Sequence, residues 1–369
     1  MHRPLSPAQL RVWEAGRERP GLSMAVRLDL DGPLDAEALC AAIGRAVRED
    51  EALRLRFRES AAGPVQEFGP PVDYAPEFVE TTDEGVERLI RQDAGAAVDV
   101  LRGPLFRHVV FRVGPRRHVW YLRVHHIVHD GQSLLLVQNR VAALYGGSAE
   151  AGFGSFSRLL DDQVAYAGSA AWRRDAEHWR QTLDGAREPV HTAPLERAAG
   201  SVALDGQWEP VVVAAVAVDQ WRRTGPADVV LNLPLPGRVG AAARNVPGML
   251  VNVVPLRIRV GPGRTVDEVV GDVRSAMRKA QWHQRFPHPY RPRPYVTVLG
   301  DERVLRFGEA TATATLLCTG SPPDSPVVTA VRRGGRVSLD IVADGAAHFT
   351  TLLTAVAEGG PARLEDIIR

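Results

Sequence analysis

Lysine is almost missing from this chain. Lys279 is the only lysine among 45 basic residues, so arginine carries nearly all the positive charge. Such a bias reads as base composition of the coding sequence rather than as arginine-specific chemistry. Net charge is also small, at +1, which removes any bulk electrostatic case for nucleic acid or an anionic membrane as partner. Cysteine is scarce: Cys40 and Cys318 stand far apart, outside any CxxC or His-rich spacing, so no zinc or redox motif is read. A reduced, cytoplasmic protein is expected. Long apolar runs are missing too. The longest, Val211 to Val218, falls well short of the roughly 20 residues that span a bilayer. Met1-His2-Arg3-Pro4 leads into polar residues with no apolar signal core.

What is present is ordinary globular material, with 45% hydrophobic and 24% charged residues over 369 positions. At roughly 100–200 residues per domain, that length predicts two or three units. Met24, Val26, Leu28 and Leu30 alternate with Ala25, Arg27, Asp29 and Asp31, the period of a half-buried strand. Asp35 then stands as an N-cap, with Leu39, Ile43 and Val47 on one helical face. Leu105–Val113 and His118–Val124 read as a hairpin turning at Gly114-Pro115. A helix is expected from Gly131 to about Tyr145, and two more over 156–167 and 170–184. Between Gly185 and Gly206 the pattern turns irregular, and a lobe boundary is placed there, giving lobes 1–185 and 186–369. In the second lobe, Trp208–Val218, Val229–Leu233, Met249–Val260 and four later segments are read as strands. Thr265 with Glu268 three residues on marks a capping box, and a last helix is expected near 346–358. Strands and helices mixed in this way give an α+β fold.

The densest chemical signal is His125-His126-Ile127-Val128-His129-Asp130-Gly131. It falls where a buried strand ends and a helix begins, a place that holds a reactive side chain rigidly. An imidazole, with an ordinary pKa near 6.5, can accept a proton at neutral pH. Adjacent residues of a strand point to opposite faces, which argues against His125 and His126 sharing a metal, so no metal site is expected. His129 is read as a loop residue.

This HHxxxDG segment resembles the active-site signature of the chloramphenicol-acetyltransferase-like superfamily, and other segments resemble its condensation branch, found in nonribosomal peptide synthetases. These are Leu5 to Trp13, Glu51 to Phe57, Tyr166 to Trp179, Pro236-Gly237-Arg238, Gly248 to Arg257 and His283-Gln284, in order along nearly the whole chain. The resemblance implies two chloramphenicol-acetyltransferase-like lobes in a V-shaped pseudo-dimer, with the active site in a tunnel between them. It implies direct acyl transfer with His126 as general base and His125 as a structural neighbour. It implies that Asp130 makes a structural ion pair with an arginine of the second lobe, for which Arg238 is the match. Gly131 is expected to let substrate approach the backbone and to offer an N–H toward a developing oxyanion. Gln132 and Asn252 are expected to face the substrate tunnel; for Asn252 a plain strand-edge hydrogen bond is an equal alternative.

No intrinsic cofactor follows from the resemblance. The implied donor is an acyl or aminoacyl thioester on the phosphopantetheine arm of a peptidyl or acyl carrier protein, and the acceptor an amine or alcohol. No adenylation motif, carrier serine site or GxSxG elbow is read, so a stand-alone, monomeric condensation enzyme is expected, fed by other proteins. Two alternatives stay open: an acyl-CoA-dependent transferase of the same superfamily, and a non-catalytic recruitment domain. Three departures stand out. Glu49 and Asp50 occupy positions where the family's second motif opens Arg-His, with Arg48 one residue off. Gln132 replaces an aromatic often found after the motif glycine. Val218 to Gly225 leaves room only for a short turn where the family carries a long helix, so a shortened second lobe is expected.

Overall fold

The computed structural model describes residues 2–18, 22–148, 151–186, 194–225, 227–289, 293–318 and 325–367. It is an α+β structure of two compact units. The first comprises Met1–Ala167, Pro236–Val251 and Arg303–Gly320; the second comprises Gly168–Leu235, Asn252–Glu302 and Ser321–Arg369. This partition differs from a single cut near residue 185. The helix Ala170–Leu183 packs through Trp179 into the second core, while Val246, Met249 and Leu250 pack into the first. Burial of these apolar side chains, not position along the chain, decides which unit each segment joins.

In the first unit a six-stranded sheet runs in the order Val304–Phe307, Ala310–Cys318, Ser23–Asp31, Arg117–His125, Phe106–Gly114, Glu77–Glu80. The expected hairpin forms its fourth and fifth strands. Arg117–His125 pairs antiparallel with both Phe106–Gly114 and Ser23–Asp31, in a register that sets Ser23 opposite His125. Both faces are covered. Trp120, Leu122 and Val124 meet Leu39, Ile43, Leu134 and Val141 on one side; Val119 and Tyr121 meet Val86 and Ile90 on the other. The helices that cover the first face, Ala36–Glu49 and Gly131–Tyr145, begin at Asp35 and Asp130, each an N-cap.

The second unit holds a six-stranded sheet in the order Asn252–Arg259, Asp228–Leu235, Tyr295–Asp301, Val327–Arg333, Arg336–Ala343, Glu196–Ala203. The helices Glu209–Thr224, Val266–Trp282 and Phe349–Gly359 share its core. Thr265 and Glu268 form the capping box read from the sequence.

Two segments overturn the sequence reading. Residues 208–218 are not a strand; Glu209–Thr224 is a 16-residue helix with Pro210 in its first turn. From Val212 to Gln220 every residue is buried. A helix buried all round shows no 3.6-residue period, and a run of valines mimics a strand. The turn inferred at 218–225 is therefore helix through Thr224, with Gly225 as its cap, and the expected shortening loses its basis at that point. Glu196–Ala203, read as irregular, is a strand paired along its whole length with Arg336–Ala343. Its small residues carry no alternation to detect. A Cβ at Gly200 would come within 2.5 Å of Thr350 Cγ2, so close packing asks for a small residue there. Among the described residues, no helix is long and apolar enough to cross a membrane.

Candidate active site

The strand Arg117–His125 ends in a tight turn that fixes the motif. The His125 N–H donates to Leu105 O (2.7 Å) and the His126 N–H to Leu22 O (2.8 Å). Ile127 and Val128 then turn inward and are fully buried. Their burial anchors the loop, since exposing two aliphatic side chains costs roughly 1.5–3 kcal/mol each. Asp130 closes the turn by capping the next helix. Its carboxylate accepts from the Ser133 N–H (2.9 Å), and Ser133 Oγ reaches back toward the Asp130 N–H, completing a capping box.

The two leading histidines have opposite surroundings. His125 is buried, and its Nδ1 accepts the Ile127 N–H at 3.1 Å. Burial drives its pKa down to about 4, with His126 and Arg123 adding to the shift. It is a neutral ring locked into the backbone of the turn. His126 is half-buried, and its Nδ1 lies 3.0 Å from the His129 carbonyl oxygen. A carbonyl only accepts, so Nδ1 must carry the hydrogen and Nε2 keeps its lone pair. Burial pushes the His126 pKa below the ordinary range, and the negative Asp130 opposes that shift. The ring is therefore a neutral proton acceptor at pH 7.

The Asp130 carboxylate bonds other groups. Arg238 clasps it with two bonds, Nη1 to Oδ2 at 2.8 Å and Nη2 to Oδ1 at 3.0 Å, and both side chains are almost wholly buried. The Leu250 and Val251 N–H groups also donate to Oδ2, each at 3.0 Å. Arg238 holds its Asp130 carboxylate well below the usual range against the opposing effect of burial, which is the larger single influence. Arg238 also donates to Val246 O (3.1 Å). The segment Pro236–Val251 belongs to the same compact unit as the motif, so this pair ties that segment into its own unit. The sequence reading had assigned Arg238 to the other lobe.

Gly131 is exposed at the first turn of its helix, and a Cβ there would meet no atom within 4 Å. Gln132 is half-buried beside it. Asn252 lies in the second unit, buried, and its Nδ2 donates to Gln284 O and Phe286 O, both at 2.7 Å. The strand-edge alternative describes those bonds, which hold the chain that follows the helix Val266–Trp282. Among the described residues no cluster of three or more His, Cys, Asp or Glu side chains could hold a metal ion.

Two contributors escaped the sequence reading. Ser133 bridges Asp130 and the Gly248 backbone, accepting the Gly248 N–H at 2.9 Å; the Asp-x-x-Ser spacing was its signal. The second is the partner of His129, which lies in the loop between the strand and the helix. That histidine is buried, and its Nε2 lies 2.8 Å from Asp50 Oδ2.

Comparison with known proteins agrees with this geometry. The family profile described as "Condensation domain" matches residues 1–207 and 209–290. The chain is a condensation domain. It is 30% identical over 319 residues to a dimodular nonribosomal peptide synthase of Bacillus subtilis, covering 77% of this chain and 13% of that protein. It is 29% identical over 340 residues to an isonitrile lipopeptide synthase of Streptomyces coeruleorubidus, covering 82% and 23%. The condensation domain thus spans less than a quarter of either relative. Among solved structures, it resembles a mutant starter condensation domain of rhizomide synthetase in complex with C8-CoA, at TM-score 0.89 and 26% identity, covering 100% of this chain and 97% of that one. The first condensation domain of the calcium-dependent antibiotic synthetase matches at TM-score 0.84 and 27% identity, covering 99% and 98%. Condensation domains are acyl-transferring enzymes.

Proposed function

We propose that this condensation domain joins an acyl or aminoacyl thioester, carried on the phosphopantetheine arm of a carrier protein, to an amine or alcohol acceptor. The observation that carries the reading is the 3.0 Å contact of His126 Nδ1 with the His129 carbonyl oxygen. With Nδ1–H committed to the His129 carbonyl, Nε2 is left as the proton acceptor on a half-buried neutral ring. The acceptor nitrogen or oxygen attacks the thioester carbonyl, its proton passes to Nε2, and the C–S bond breaks to release the pantetheine thiol, which takes up a proton. General-base assistance of this kind is worth roughly 10²–10⁴-fold. Holding two reactants in line can contribute more, about 7–11 kcal/mol, so positioning carries much of the rate for an already activated thioester. The open space above Gly131 suits a substrate carbonyl beside the first helical turn, where N–H groups point outward. In this reading His125, Asp130 and Arg238 hold the site together, and Gln132 lines the path of the substrates.

A free acyl-CoA donor is the second reading, favoured by the rhizomide starter domain having been captured with C8-CoA. The test is intact-protein mass spectrometry of carrier proteins loaded with acyl groups, mixed in trans with the 369-residue chain and amine or alcohol acceptors, using wild type and His126→Ala. Loss of the acyl group from the carrier with matching product, reduced in the variant, supports the first reading and a stand-alone action. Consumption of acyl-CoA with untouched carriers supports the second. No turnover with either, but co-purification of a carrier or tailoring enzyme, points to recruitment instead.

A further inference from the structure

We propose that Asp50 and His129 form a positioning pair that holds the His126 imidazole in its base-competent tautomer. The proposal rests on the reading of His126 as proton acceptor and goes beyond it to what enforces that state. Asp50 caps the C-terminus of the helix Ala36–Glu49, its N–H donating to Ala46 O and Val47 O. Its Oδ1 accepts the Ala52 N–H at 3.0 Å, which leaves Oδ2 aimed at His129 Nε2, 2.8 Å away. The two side chains are 0% and 2% exposed. Among the described residues Nδ1 of His129 has no hydrogen-bond partner, so Asp50 is the anchor of that ring there.

A carboxylate and an imidazole sealed from water cost free energy to bury unless they bond to each other. Here they spend that bond on a residue whose backbone does the useful work. The His129 carbonyl accepts Nδ1–H of His126 at 3.0 Å, and the backbone of His126 itself is a second partner of the ring. Its direction depends on the backbone rotation of residue 129, which the side-chain anchor on Asp50 fixes against a rigid helix end. Release that anchor and the carbonyl can swing away. The His126 proton is then free to sit on Nε2, and a ring protonated there cannot accept the acceptor's proton. Asp50 and His129 touch no reacting atom, so they are positioning residues and not catalytic ones.

The test uses the whole chain labelled with ¹⁵N-histidine, so that the His126 nitrogens report the tautomer with or without turnover. Wild type should show hydrogen on Nδ1. His129→Ala and Asp50→Ala should shift His126 toward a mixture of tautomers. In the carrier-coupled assay they should lower kcat by up to about 100-fold, as misplacement of about 1 Å can, with KM little changed. His129→Gln, whose amide N–H can reach Asp50, should restore both readouts, and His129→Ala should add no loss in a His126→Ala background. The proposal fails if folded His129→Ala keeps both the Nδ1–H tautomer and wild-type kcat. It fails equally if His129→Gln is as impaired as His129→Ala. Should Asp50→Ala not fold, the two His129 variants still decide. A wild type inactive on every donor, whose tautomer nonetheless responds to His129→Ala, would sink the functional reading while supporting the positioning pair.

Discussion

Replacing Asp130 should unfold the first unit at a lower temperature, and asparagine should be almost as harmful as alanine. The carboxylate accepts from five N–H groups: Ser133, Leu250, Val251 and both terminal nitrogens of Arg238. Oδ1 faces two of these donors and Oδ2 faces three, so an asparagine NH₂ group meets donors whichever way the amide turns. The substitution also leaves the Arg238 charge buried, at 3% side-chain exposure, without its counter-ion. Breaking one partner of such a pair costs about 3–5 kcal/mol. For a unit of roughly 150–250 residues, 1 kcal/mol moves the midpoint by about 2–4 °C. Asp130→Asn and Asp130→Ala should therefore lower Tm by about 6–20 °C in differential scanning calorimetry, and turnover should fall with it. Arg238→Met should be costly alone, but Asp130→Ala with Arg238→Met should lose less than the sum, because the second change removes the charge the first strands. A Tm within about 2 °C of wild type for Asp130→Asn would refute the structural role.

His126→Ala should lower kcat by roughly 10²–10⁴-fold in the carrier-coupled assay while circular dichroism and Tm stay near wild type; unchanged kcat would remove the general base. Burial lowers the pKa of His125 to about 4 and of His108 to about 3, from an ordinary 6.5. Below about pH 6.5 the unfolded chain binds protons that the folded chain refuses, so stability must fall with acidification until about pH 3–4. Urea midpoints measured from pH 7 to pH 4 should drop steadily, and a flat profile would contradict the buried neutral rings. Gly237 sits at φ +67°, and a Cβ there would lie 2.0 Å from Leu250 O. Gly237→Ala should cost more than the roughly 1–2 kcal/mol of a left-handed non-glycine residue, because it pushes on the backbone that grips Asp130; denaturant melts check this.

The elements that could be read from sequence are those with a one-sided environment or a capping residue. Asp35, Thr265 and the strand Ser23–Asp31 announced themselves through spacing alone. Glu209–Thr224 did not, because it is enclosed and period is lost where there is no solvent side. Glu196–Ala203 did not, because its pairing comes from the backbone of Arg336–Ala343 and not from its own small side chains. In the site, the residues that were legible are those whose chemistry is local to the motif. Membership of Pro236–Val251 in the motif's own unit was invisible, since it depends on where Val246, Met249 and Leu250 find a core.

The run Glu49-Asp50-Glu51 shows why the motif departures need not weaken the site. Position by position, the acidic residues where Arg-His was expected suggest lost charge contacts, and Arg48 spends its charge on Asp73 at the surface. Yet each of the three carboxylates has a partner in a different part of the same unit. Glu49 takes Arg140 of the motif helix in two bonds of 2.7 and 2.9 Å, and that guanidinium holds its carboxyl below the usual range. Asp50 takes His129. Glu51 accepts the Ser157 N–H at 2.9 Å, its negative charge lying at the N-terminus of the helix Phe156–Tyr166. One helix end thus fixes the motif helix, the motif turn and the helix after them. An acidic residue at position 50 and a third histidine at position 129 each look like a departure when taken alone. Taken together they are the two halves of one buried bond, and substituting either one alone strands the other. This predicts non-additive losses in activity and Tm for Asp50→Ala and His129→Ala combined.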